Sequence, residues 1–119
     1  MWDVEYTDEF GTWYESLTER EQDAIDRCVR ILEQIGPELG RPYVDSIRGS
    51  RHPNMKELRT QSAGRPLRTF FAFDPRRTAI LLIGGDKTGD RRFYDRMLSI
   101  ADALYESHLR QLRKEGLIP

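Results

Sequence analysis

Residues 55–85 read MKELRTQSAGRPLRTFFAFDPRRTAILLIGG, and this stretch decides the fold. It divides into three strand-like runs, Met55 to Gln61, Pro66 to Phe73 and Thr78 to Ile83, rich in β-branched and aromatic residues and separated by turn formers. Ser62-Ala63-Gly64 makes the first turn. Asp74-Pro75-Arg76-Arg77 makes the second, with the Asp74 carboxylate able to bond back to the turn and Pro75 pre-setting the next backbone angle. Links this short join antiparallel neighbours, so a meander is expected. Ala79 to Ile83 is apolar at every position, the mark of a central strand covered on both faces. Gly84-Gly85 is expected to end it.

Working outward, Trp2, Val4 and Tyr6 alternate with Asp3 and Glu5, which predicts a short first strand. Thr7 then offers an N-cap to a brief helix with Phe10, Trp13, Tyr14 and Leu17 on its apolar stripe. Thr18 and Glu21 have capping-box spacing, and Ala24, Ile25, Cys28, Leu32 and Ile35 recur at helical intervals until Gly36-Pro37. Residues 36–54 carry no sustained period and read as a connecting loop. From Asp90 onward, Phe93, Met97, Ala101, Leu104, His108, Leu109 and Leu112 trace a long amphipathic helix closing near Gly116. The sum is an α+β domain spanning residues 1–119. A small antiparallel sheet of about four strands packs against two N-terminal helices, with a long C-terminal helix.

The chain has 119 residues, a length that supports one core. No apolar stretch is long enough to cross a bilayer and the N-terminus has no secretory pattern, so the cytoplasm is the expected location. The single cysteine, Cys28, falls on a helical apolar stripe, and no Cys/His cluster suggests zinc; no metal or cofactor is expected. The formal charge of −1 conceals a segregation of sign. Residues 1–40 hold eleven acids and three bases, whereas residues 41–96 hold thirteen bases and six acids. Such separation can attract nucleic acid to one face, or it can reflect two solvated populations that pair with each other.

Strand alternation places the cations. If Leu58 faces inward, Glu57 and Arg59 face outward together; Arg68 shares a face with Phe70 and comes near Arg59 on the paired strand. Lys87 follows the last strand and Tyr94 lies one turn inside the final helix, so Glu57, Arg68, Lys87 and Tyr94 can converge at a surface open to a polyanion. Arg59, Arg65, Arg91 and Arg92 would widen an RNA footprint, with plain solvated charge as the ordinary alternative. Glu57 could equally pair with Arg59. His52 is expected to be solvated and His108 structural.

Taken together, LysGluLeuArg at 56–59, Arg68 within ArgThrPhePheAlaPheAspPro, GlyGlyAspLysThrGly at 84–89 and ArgPheTyr at 92–94, in that order, resemble the RelE/ParE toxin superfamily, and most closely its HigB-like branch. The resemblance spans nearly the whole chain. It implies a RelE-like fold and a type II toxin that cuts messenger RNA, typically on the ribosome, without a cofactor. It also implies a HigA-like antitoxin partner with a helix-turn-helix domain. Carried over by position, Arg68 is similar to the family's phosphate-binding strand arginine, Lys87 to its basic residue after the last strand, and Tyr94 to its aromatic residue near the C-terminal helix; Arg59 is a further carry-over. Glu57 stands where the best-known ribosome-dependent members have a lysine, and the net charge is near neutral where many are strongly basic. A ParE-like contact inhibitor of a topoisomerase, or a bare interaction module, is the alternative of a different class.

Overall fold

The computed structural model describes residues 1–119. Its elements run β1 (Val4–Tyr6), α1 (Asp8–Glu15), α2 (Glu19–Ile35), a 3-10 turn (Gly36–Glu38), β2 (Val44–Ser46), β3 (Lys56–Ser62), β4 (Arg65–Phe73), β5 (Ala79–Asp86) and α3 (Phe93–Lys114). One five-stranded sheet has the order β1-β5-β4-β3-β2. The meander is present as read, with β4 central and antiparallel to both neighbours. No helix is long and apolar enough to cross a membrane.

Helix starts follow the sequence closely. Thr7 Oγ1 accepts from the Phe10 amide, and Thr18 with Glu21 closes a full capping box that satisfies two donors the helix cannot. The Ser62–Arg65 turn is equally local: Ala63 and Gly64 both have positive φ, the pair of left-handed residues that matches the twist of a tight hairpin.

Three expectations need correction. The segment 36–54 is not only a loop, because Val44–Ser46 pairs antiparallel with Lys56–Leu58 as a fifth strand. Three residues show too little alternation to be read, and pairing supplies what periodicity lacks. The sheet is also mixed: β1 lies parallel to β5 at one edge, reached through the two helices rather than a hairpin. Finally, Gly84 and Gly85 do not end the last strand but continue it to Asp86. A Cβ on Gly84 would fall inside the Trp13 ring, and one on Gly85 would stand 2.9 Å from Phe93, so these glycines let a helix press on each face of β5.

Both sheet faces are covered. Phe10, Ile25, Cys28 and Leu32 from α1 and α2 pack on Leu58, Leu67, Phe71 and Leu81. Phe93, Met97, Ala101 and Tyr105 from α3 pack on Phe70, Ala72, Ile80 and Leu82. Ordinary strand alternation sends the adjacent rings of Phe70 and Phe71 to opposite cores, while the register shift between them leaves Leu82 of β5 as the extra, bulged residue. Each fully buried Leu or Phe contributes roughly 1.5–3 kcal/mol, so the two layers together hold the sheet.

Candidate functional site

Register brings the expected side chains together. Arg59 lies opposite Arg68, Glu57 opposite Phe70, and Arg68 opposite Gly85, so Glu57, Arg59 and Arg68 share the sheet face that α3 covers. Lys87 leaves the end of β5, its amide held by the Pro66 carbonyl. Tyr94 descends from the first turn of α3. Its hydroxyl donates to Glu57 Oε1 at 2.7 Å, Glu57 Oε1 lies 3.4 Å from Arg68 Nε, and Lys87 Nζ stands 5.5 Å from the Tyr94 ring centroid. Four elements thus supply one chain of contacts, Lys87 to Tyr94 to Glu57 to Arg68.

The environment differs from the open cationic face that alternation suggested. The side chains of Arg68 and Glu57 are only 5% and 8% exposed. Alternation identifies which residues share a face; it does not say whether a helix lies over it, and α3 does. Glu57 pairs with Arg68 rather than Arg59, because the diagonal neighbour across β3 and β4 is close enough and the Arg68 head has nowhere wet to go. Arg68 Nη1 donates to the Leu67 carbonyl, while its Nε is buried without a hydrogen-bond partner. Tyr94 is pushed up from its ordinary value, first by burial and then by the Glu57 carboxylate, so its phenol keeps its proton through the neutral range.

The outer cations divide. Arg65 is committed to Glu21 and Asp86 in two ion pairs, which removes it as a free RNA contact. Arg59 is half-buried and makes no ion pair; its amide donates to Tyr43 O. Arg91 and Arg92 are exposed beside Arg96 in a shallow concavity before α3. No cluster of three or more His, Cys, Asp or Glu is placed to hold a metal ion.

One group was not read from sequence. Asp102 is buried in α3 and takes the Ser50 hydroxyl and the Arg51 amide, fastening the 48–54 loop to the helix. An acid between Ala101 and Tyr105 on the apolar stripe was the available signal. Beside it, His52 is not solvated: its Nε2 lies 2.9 Å from Glu106 and its ring packs edge-on against Tyr105. His108 is structural, 2.9 Å from the Asp74 carboxylate that Arg76 also grips.

A five-stranded sheet between an α-helical pair and a long C-terminal helix, with a cationic and aromatic cluster at one sheet end, defines a RelE-like domain. A double mutant of the Escherichia coli toxin RelE in the free state superposes with a TM-score of 0.61 over 84% of this chain and 93% of that one, at 10% identity, a likeness of fold alone. Residues 12–106 match the family model described as Phage derived protein Gp49-like (DUF891). The chain belongs to this Gp49-like family and is HigB-like. It is 46% identical to HigB3 of Mycobacterium tuberculosis over 98 residues, covering 82% of this chain and 84% of the relative. It is 44% identical to HigB2 of the same organism over 103 residues, covering 85% of this chain and 51% of the relative, so the match takes in about half of HigB2.

Proposed function

We propose that this chain is the toxin of a type II toxin–antitoxin pair and acts as a metal-independent endoribonuclease on messenger RNA, on the ribosome or free. The single observation that carries the reading is the 2.7 Å hydrogen bond from Tyr94 to Glu57 beneath Lys87. Kinship with HigB2 and HigB3 supports the toxin role, and a HigA-like antitoxin with a helix-turn-helix domain is the neutralising partner that goes with it.

The chemistry is intramolecular in the substrate. The RNA 2′-oxygen attacks the adjacent phosphorus, the P–O5′ bond breaks, and a 2′,3′-cyclic phosphate and a free 5′-hydroxyl result. Tyr94 takes the 2′-hydroxyl proton as it passes its own to Glu57, so no tyrosinate accumulates. Lys87 neutralises the phosphate oxygens and gives a proton to the departing 5′-oxygen. Arg68 is a positioning residue in this scheme, holding the Glu57 carboxylate under Tyr94. Arg59, Arg91 and Arg92 guide the phosphate backbone.

Mapping new 5′ ends on a translated message, with and without ribosomes, tests the reading. Cuts are expected from the natural sequence and none from Lys87→Ala or Tyr94→Phe variants that remain folded. One observation favours a different class: the Glu57–Arg68 pair is closed to solvent, as a purely structural pair would be. A contact inhibitor would leave RNA intact and arrest supercoiling by a topoisomerase, so the same preparation assayed for both outcomes separates the two.

A further inference from the structure

On the sheet face opposite the Lys87–Tyr94 cluster, a groove of about 430 Å³ opens between β1, α1 and α2. Phe10, Ile25 and Leu81 form its buried floor, while Val4, Tyr6, Tyr14 and Val29 make half-buried or exposed walls. Tyr6 alone is 66% exposed. The polar side chains lining this groove are Tyr6, Tyr14 and the carboxylates of Glu15, Asp26 and Glu33. Asp26 accepts a hydrogen bond from Tyr14, whose phenol is pushed up to about 12 by burial and then by that carboxylate; no cation lines the groove and none of the three acids has an ion-pair partner. The site therefore combines apolar surface exposed to water with negative charge left uncompensated. Gly11 adds a second feature. It sits inside α1, where glycine costs roughly 1 kcal/mol relative to alanine, and it lines the groove, so its missing side chain widens the cleft at the expense of helix stability.

We infer that this groove receives a cationic amphipathic helix from a partner protein, with an apolar stripe seated on Phe10, Tyr14 and Val29 and flanking Lys or Arg side chains reaching Glu15, Asp26 and Glu33. A second copy of this chain fits less well, since each apolar helix face it carries is already committed to its own core. A nucleic acid is repelled by the three carboxylates. A docked helix leaves Lys87 and Tyr94 uncovered, because the groove and the cluster lie on opposite faces of the sheet.

Titration with three synthetic peptides tests this: a 16-residue helix of Leu and Lys patterned with one apolar face, the same composition scrambled, and a Leu/Glu counterpart. Amide chemical-shift changes should centre on Gly11, Tyr14 and Val29 for the patterned cationic peptide alone and should weaken with added salt. Gly11→Leu fills the cleft with a better helix former, its Cβ meeting only the exposed Tyr6 ring at an ordinary contact distance of 3.4 Å, so the variant is expected to stay folded. It should weaken the peptide by tenfold or more, about 1.4 kcal/mol or above. Glu15→Lys combined with Glu33→Lys should do the same. Equal binding by the scrambled peptide, shifts located elsewhere, undiminished affinity in Gly11→Leu, or a dimer whose contacts occupy the groove would each overturn the inference. None of these readouts depends on RNA cleavage.

Discussion

Lys87 and Arg68 are both cations of the candidate site, yet their surroundings make them very different to mutate. Lys87 is half-buried, has no carboxylate partner and rests on the Tyr94 ring, so Lys87→Ala should change unfolding free energy by no more than about 0.5 kcal/mol. Arg68→Ala leaves the Glu57 charge buried without its cation and should cost about 3–5 kcal/mol. Urea denaturation of the two variants checks this contrast; equal losses would mean that the Glu57–Arg68 pair is not closed off in solution. Loss of cutting in Lys87→Ala is accordingly the cleaner report on chemistry. The residue types at 57, 68, 87 and 94 were legible in sequence, as was their shared end of the sheet. Their burial was not, because it depends on where α3 lies.

At the scale of elements, helices are held to the sheet by two devices that sequence only partly discloses. One is the pair of glycines in β5. Gly84→Ala would drive a methyl group into Trp13 and should displace α1, costing about 1–3 kcal/mol or more by overpacking. A thermal melt unchanged from the parent would show that Trp13 does not sit there. The other is the clamp between the 48–54 loop and α3. Glu106 is pulled down to about 2 by the Arg51 guanidinium first and His52 next. Because its folded value lies below the ordinary 4.5, the clamp is fully present above that ordinary value and is lost as pH falls through the folded one. The protection of amides in residues 48–54, taken against intrinsic exchange at each pH, should therefore fall between about pH 4.5 and 2, and a Glu106→Gln variant should show the lower protection already at neutral pH. Protection in the parent that stays constant across this range would remove the clamp. The Asp74 carboxyl behaves similarly: burial pushes it up, but Arg76 and His108 pull it below the usual range, joining the β4–β5 turn to α3.

Across the whole molecule, the sheet acts as a partition with one function proposed for each face. The acidic first third of the chain supplies α1 and α2 and lines the groove, whereas the basic middle supplies the meander and the Lys87–Tyr94 cluster. Perturbations on opposite faces share no partners, so their free energies should add. The double variant Gly11→Leu, Lys87→Ala should show the stability change expected from the two singles, within about 0.5 kcal/mol. It should also retain the separate losses, peptide binding from the first substitution and cutting from the second. Denaturation of the four proteins in that cycle checks the sum; a larger coupling would mean that the two faces communicate through β5.

The sequence by itself determined the meander, both capped N-terminal helices and the long C-terminal helix. These rest on local chemistry: the period of the apolar residues, the Thr7 and Thr18 caps, and turn formers at Ala63-Gly64 and Asp74-Pro75. Only the tertiary structure decided the strand at Val44–Ser46, the parallel edge at β1, the continuation through Gly84-Gly85 and the burial of Arg68 against Glu57. Each depends on what lies across a sheet or over its face from a distant part of the chain, and no period within a local window records that neighbour.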